Sequence, residues 1–250
     1  MSDFHRRQRV YWDSLAEIDP DAAVIDPNDV RGWKNAYLAR MRDQTFRRVL
    51  EGHGVDPGST ILDVGCGTGS ASLPLNALGY RIIGLDISLP LLTKAQRRCD
   101  PKLSLFSQVN GQSLPVQAHS VDAAILYGVI CYLPDDQEAI ALLSDMRRTM
   151  KPGSPIVMIE QARRKRLLTE QGLKVQRSIG EWTELLIRSG FASPQSSILR
   201  HGRFPTTPLI RAGLLPTRFF EWISNSERMI GNASGIWPWD YADVLFVAEA

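Results

Sequence analysis

The sequence predicts an α/β fold, a mostly parallel sheet with helices on both faces. Three observations predict it. Between residues 59 and 160, short apolar runs alternate with stretches of helical periodicity. One of those runs, Val121 to Tyr127 (VDAAILY), is apolar enough to be buried on both faces, as strands of a parallel sheet are. The first run ends at a cluster of glycines that opens a helix.

Each element has its own signal. Ser59 to Val64 (STILDV) is the first strand, and a helical stretch follows from about Ser70 to Leu78. Arg81 to Asp86 (RIIGLD) is the second strand. Leu89 to Cys99 reads as a helix, with Leu91, Leu92 and Ala95 on one side and Lys94, Arg97 and Arg98 on the other. Leu103 to Val109 is the third strand and Val121 to Tyr127 the fourth. Asp135 to Met150 is a helix with Ile140, Leu143 and Met146 at helical spacing, and Lys151-Pro152-Gly153 stops it. Pro155 to Glu160 (PIVMIE) is the fifth strand. Ser178 to Ser189 is a helix with Gly190 as its C-cap. Ser196 to Arg200 and Asp243 to Ala248 are the last two strands.

The flanks differ from this centre. Residues 1–55 read as an N-terminal helical cap, helical from about Gly32 to Leu50, ahead of a domain over 56–250. The basic run at 163–166 reads as a solvated helix face. Residues 201–240 hold four prolines and several large aromatics, including Phe204, Phe219, Phe220, Trp222, Trp237 and Trp239. So long a connection suggests a substrate-binding insertion.

Composition narrows the function. The chain has 250 residues, 44% hydrophobic and 22% charged, which excludes a disordered or coiled-coil protein. A net charge of +2 demands no polyanionic partner, so no nucleic acid is expected. Three widely spaced cysteines, Cys66, Cys99 and Cys131, form no disulfide framework and no zinc motif. The N-terminus leads into charged residues rather than an apolar run, and no run approaches the roughly 20 apolar residues of a membrane span. A soluble, cytoplasmic protein is expected.

The chemistry is concentrated in Ile61-Leu62-Asp63-Val64-Gly65-Cys66-Gly67-Thr68-Gly69-Ser70. Glycines at alternate positions let the backbone turn tightly and approach a ligand with no Cβ in the way. A dinucleotide fingerprint would read GxGxxG; here the third glycine comes one place early, and Ser70 stands where it should be. Asp63, at the strand end, is poised to accept from an ammonium group. Asp86 ends the second strand, where an acid can accept both hydroxyls of a ribose.

Together these segments resemble the class I S-adenosylmethionine (SAM)-dependent methyltransferases. DVGCGTG resembles that family's glycine-rich motif, IIGLDIS its ribose-binding motif and NGQSLPV its adenine-contacting segment, with Asn110 where Asp is usual. ILYGVICYLPD and MKPGSPIVMIE resemble its fourth and fifth strands. The resemblance implies a Rossmann-like, seven-stranded, mostly parallel sheet of order 3-2-1-4-5-7-6. Its last strand is antiparallel, and the aromatic insertion lies between strands 6 and 7. It implies SAM as cofactor. Gly65, Cys66, Gly67 and Gly69 would back the methionine part, with Asp63 near its ammonium. Asp86 and Ile87 would hold the ribose, and Asn110, Gly111 and Gln112 the adenine. Tyr127 and Gly128 would line the pocket beside the sulfur.

Outside the motifs, Tyr132 stands where many members of that family carry a His near the substrate, and it is a candidate catalytic residue or a rim aromatic. His201 closes a strand beside the insertion and is the candidate general base. Tyr11, with Trp12, would cover the cofactor or staple a helix to the core. His5, His53 and His119 read as surface residues. Glu160 reads equally as a substrate contact or a structural acid. The fourth strand ends in YGVI rather than the NPPY or DPPY of enzymes that methylate base or amide nitrogens. The expected reaction is methyl transfer to a small-molecule acceptor, first O-methylation of a metabolite, natural product or sugar-containing intermediate. The alternatives are N-methylation of a small amine or amino sugar, and a non-catalytic SAM-binding module. Leu209 to Ile223 mixes apolar residues with Arg211 and Arg218, and peripheral membrane contact is the minor reading of it.

Overall fold

The computed structural model describes residues 3–17, 26, 28–29, 31–110, 113–202, 204–233 and 241–250. Two helices lead: α1 (Asp3–Leu15) and α2 (Trp33–Gly52). The α/β part follows as β1 (Thr60–Val64), α3 (Ser72–Ala77), β2 (Arg81–Asp86), α4 (Leu89–Arg98), β3 (Ser104–Gln108) and β4 (Ala123–Tyr127). It continues with α5 (Asp136–Thr149), β5 (Pro155–Arg163), β6 (Leu167–Thr169), β7 (Lys174–Gln176), α6 (Ile179–Arg188) and β8 (Ala192–His201). Next come α7 (Thr206–Arg211), α8 (Phe220–Ala233) and β9 (Tyr241–Glu249).

Seven strands form one sheet in the order β3-β2-β1-β4-β5-β9-β8. β1 to β5 pair in parallel, and β9 runs antiparallel to both β5 and β8. This is the expected order, with β8 and β9 as the sixth and seventh strands. The strand period of two splits the core between the faces. Ile61, Ile125, Val157 and Leu245 pack with Tyr37, Met41 and Leu75 on one side. Leu62, Leu126, Met158 and Phe246 pack with Leu143, Met146 and Trp182 on the other.

The helix ends follow their sequence signals. Ser88 caps α4 and Asp135 caps α5, each side chain accepting a backbone N–H of the first turn. Ser178 and Glu181 form a reciprocal capping box at α6; losing such a cap costs about 1 kcal/mol. The basic run departs from expectation. Arg163 belongs to β5, which continues past Glu160, and Arg166 lies in the turn before the β6–β7 hairpin. Arg166 pairs with Asp136 at 2.9 Å and Glu181 at 3.6 Å. Continued pairing of β5 with β9, through Arg163 and Tyr241, overrides local helical propensity there.

Residues 201–240 are more than a plain loop. Their described part forms α7, a 3₁₀ turn at Thr217–Phe219, and α8. α8 is fastened inward by a buried ion pair, Arg200 Nε to Glu227 Oε2 at 2.8 Å. The Tyr37 hydroxyl donates to the same carboxylate oxygen at 2.8 Å, and Thr206 donates to the other oxygen. The insertion is thereby tied to α2 and β8.

Candidate functional site

The sheet order reverses between β1 and β4, and in open α/β sheets a crevice forms beyond the strand ends at that point. A cavity opens there, with about 1000 Å³ of empty space counted out into the solvent at its mouth. Its floor is Val64, Gly65 and Gly67 from the glycine turn, with Asp86 and Ile87 from the end of β2. Val109, Asn110 and Leu114 close one side, and Tyr127, Gly128, Val129, Tyr132 and Leu133 the other.

The floor is set by the backbone. Gly65 and Gly67 have φ of 70° and 51°, in the left-handed region that favours glycine. At Gly65 space is also short: an added Cβ would lie 2.5 Å from Val129 Cγ2. The Asp86 carboxylate accepts the Gly67 N–H at 2.8 Å and the Ser88 N–H at 2.8 Å, so it stitches the turn to the end of β2. Burial pushes its carboxyl up to about 6, against the pull of these backbone hydrogen bonds. Asp63 lies below the turn, fully buried, and the Ser72 hydroxyl donates to it at 2.5 Å. Burial raises it to about 6 as well, opposed by Ser72 and Arg42 and reinforced by the charge of Asp86.

The wall after β4 is clamped from two directions. Glu160 Oε1 accepts the N–H groups of Val129 and Ile130 at 2.8 and 2.7 Å. The buried Arg177 donates to the carbonyls of Ile130 and Leu133 at 3.3 and 2.7 Å, and to Asp136 at 2.6 Å. Glu160 therefore holds the wall and does not face the cavity. This clamp sets where Val129 and Tyr132 stand, and so the shape of the pocket.

The roof is α1. His5, Gln8, Arg9 and Trp12 line the cavity. The Gln8 amide donates to the Tyr132 carbonyl, and Asp13 accepts from the Ser88 hydroxyl at 2.6 Å. Tyr132 and Trp12 meet edge to face at 4.9 Å, and Tyr11 lies 6.3 Å from Tyr132. Burial raises both phenols above their ordinary value. At neutral pH they are protonated hydrogen-bond donors.

The structure brings Gly65, Gly67, Asp86, Ile87, Asn110, Tyr127, Gly128 and Tyr132 to one cavity, with Tyr11 and Asp63 directly behind its walls. Others fall elsewhere. Cys66 is packed in the core beneath Gly84, and burial pushes its thiol well up. Gly69 gives room to α4: a Cβ there would lie 3.1 Å from Ala95 Cβ. Gly111, Gln112, Trp237 and Trp239 lie outside the described residues. His201 corrects the expectation of a base. It is buried at the end of β8, three strands from β4, and does not line the cavity. No described residue of 201–240 lines it either, so a role for the insertion as pocket wall finds no support there.

Some residues of the site carried no local signal. His5 was read as surface and faces the cavity. Arg42 is buried, donates to the hydroxyl and carbonyl of Ser70 at 2.9 and 2.7 Å, and stands 5.2 Å over the Tyr127 ring. It braces the helix start behind the glycine turn. Arg177 resembled any charge on a basic stretch. Trp12, expected with Tyr11 to cover the cofactor, does line the roof; the facing of α1 residues four apart (His5, Arg9 and Gln8, Trp12) could have pointed to the rest.

The expected cofactor fits these walls. A Cβ at Gly128 meets no atom within 4 Å, so the glycine there keeps open space beside Tyr127. Asp86 lines the cavity, where its carboxylate would meet the ribose hydroxyls of such a cofactor. Leu91, Val109 and Leu114 offer an apolar slot for a base.

Comparison with known proteins agrees. Residues 62–158 match the family described as "Methyltransferase domain". The demethylmenaquinone methyltransferase of Oceanobacillus iheyensis is 32% identical over 161 residues, covering 62% of this chain and 61% of that protein. The enzyme of the same name from Tropheryma whipplei is 32% identical over 127 residues, 50% of this chain and 52% of that one. The chain thus spans roughly half to three fifths of these curated relatives' length. Among solved structures, geranyl diphosphate C-methyltransferase from Streptomyces coelicolor superposes with a TM-score of 0.65 at 19% identity, over 99% of this chain and 98% of that one. The [4+2]-cyclase SpnF does so at 0.60 and 21% identity, over 83% and 80%. With the sheet order, the glycine turn and Asp86 in place, residues 62–158 are a methyltransferase domain, and they resemble those of the class I S-adenosylmethionine-dependent enzymes.

Proposed function

We propose that this chain transfers the methyl group of SAM to a small-molecule acceptor with an apolar ring face, at an oxygen atom. The observation that supports this best is the continuity of one cavity from the glycine turn and Asp86 to an aromatic wall of Trp12, Tyr127 and Tyr132. Gly65, Gly67 and Asp86 would hold the cofactor, whose sulfonium makes the methyl electrophilic. The chain's own residues then supply alignment and a pocket closed to water. α1 and the clamped wall after β4 close it from opposite sides. His5 takes the place of His201 as candidate base, since it is the imidazole that faces the cavity among the described residues. The curated relatives are named for a small-molecule reaction, which suits this reading. N-methylation of a small amine is the alternative, because an amine needs no base.

A [4+2]-cyclase shares the fold, so the test reads methyl transfer itself. The full chain is incubated with methyl-labelled SAM and two acceptor panels, hydroxylated aromatics and small amines. Label in an ether product that His5→Asn suppresses is the expected result. Label only in amine products supports the alternative. Tight SAM binding with label in neither panel, or label in added RNA, refutes small-molecule transfer.

A further inference from the structure

We infer that the outer face of α7 and α8 docks on an anionic bilayer surface. The large apolar residues of this segment divide sharply between two faces. Ile210, Phe220 and Ile223 are buried against the protein. Leu209, Leu214, Phe219, Trp222, Met229 and Ile230 are exposed, Trp222 to 70% and Met229 to 71%. Trp222 and Met229 are seven residues apart, two helical turns, and so share one side of α8. That side is opposite the Glu227 carboxylate that fastens the helix to Arg200 and Tyr37. The fastening holds the apolar side outward. Trp33, at the start of α2, extends the surface: its indole packs on Gly213, where an added Cβ would come within 2.7 Å of Nε1.

The charge on this surface selects the occupant. Residues 206–230 carry Arg211, Arg218 and Arg228 against Glu221 and Glu227, and Glu227 is already neutralised by Arg200. Arg211 and Arg218 are exposed beside the apolar residues, and the Arg218 guanidinium stands 4.9 Å over the Phe219 ring. An apolar helix face bearing Trp and Phe, with arginines at its rim, is the arrangement that lies in a membrane interface. The rings sit at headgroup depth while the guanidiniums reach lipid phosphates. Among the described residues no helix is long and apolar enough to cross a membrane, so the contact is interfacial. The surface is separate from the cofactor cavity, and none of its residues lines that cavity.

The test is sedimentation of the full chain with two kinds of vesicle, phosphatidylcholine alone and phosphatidylcholine mixed equally with phosphatidylglycerol. The chain should pellet with the mixed vesicles and be released by salt. Trp222→Ser with Met229→Ser should lower the bound fraction about tenfold, as loss of interfacial apolar area requires. Arg211→Gln with Arg218→Gln should abolish the preference for phosphatidylglycerol. Both double variants should keep the wild-type Tm and SAM affinity, which separates a lost surface from a lost fold. Three results would overturn the proposal. One is failure to pellet with either vesicle, and another is binding that the Trp222/Met229 substitutions leave unchanged. The third is a concentration-dependent dimer of the free chain that those substitutions dissociate, which assigns the face to a second copy.

Discussion

Lowering the pH should release the cofactor, because both carboxylates of the site are pushed up to about 6 by burial. Asp86 must be ionised to accept strongly from ribose hydroxyls, and Asp63 to attract an ammonium. At pH 5 a carboxyl with a pKa near 6 is about one-tenth ionised, so each dependence weakens binding about tenfold, ~1.4 kcal/mol. With both in play, the Kd for SAM should rise about a hundredfold between pH 8 and pH 5. Folding responds with the opposite sign. A carboxyl raised above its ordinary 3.8 favours the folded state below pH 4, and that contribution is lost as the pH rises through about 6. Acid therefore stabilises the cofactor-free protein through these two groups while weakening the cofactor, and the rise in Tm on adding SAM should shrink as pH falls. Asp86→Asn fixes one site neutral. It should cost about 1.5–3 kcal/mol of affinity near pH 8, the range for hydrogen bonds to a charged group, and leave only the shallower dependence of Asp63. Calorimetric titration across this pH range measures both. A flat wild-type profile, or an Asp86→Asn variant of unchanged affinity and intact fold, would refute the assignment of Asp86 to the cofactor.

Other outcomes follow from the same geometry. Gly65→Ala combines a φ of 70° with a contact of 2.5 Å to Val129, and should weaken SAM binding at least tenfold by calorimetry while costing about 1–3 kcal/mol of stability. Glu160→Ala strands two N–H groups, one of them fully buried, and should lower stability by about 2–4 kcal/mol in urea unfolding, with Glu160→Gln recovering part of it. Glu227→Ala leaves Arg200 buried without its carboxylate and should cost about 3–5 kcal/mol, yet leave SAM affinity unchanged if the fold survives. With a hydroxyl acceptor, His5→Asn should lower kcat about a hundredfold in a steady-state methyl-transfer assay.

The order of strands and helices between residues 59 and 160, the glycine turn and Asp86 were all legible in the sequence. They depend on local physics: strand and helix periods, capping residues, and a turn that only glycines relax into. Asp86 stands at its strand end wherever that strand is placed, and its bonds to Gly67 and Ser88 span 19 and 2 residues. The roof and the clamp are different. Gln8 meets Tyr132 across 124 residues, and Arg177 meets Ile130 across 47. No period or spacing in the chain encodes such a meeting, so His5 read as surface and nothing singled out Arg177 among the basic residues of 161–177. His201 failed for the converse reason, because its neighbours in sequence suggested a pocket while β9 buried it. The insertion, legible as aromatic and proline-rich, was given its orientation by the Arg200–Glu227 pair. A buried charge must find its partner, and that demand turned Trp222 and Met229 away from the cavity and toward the outside.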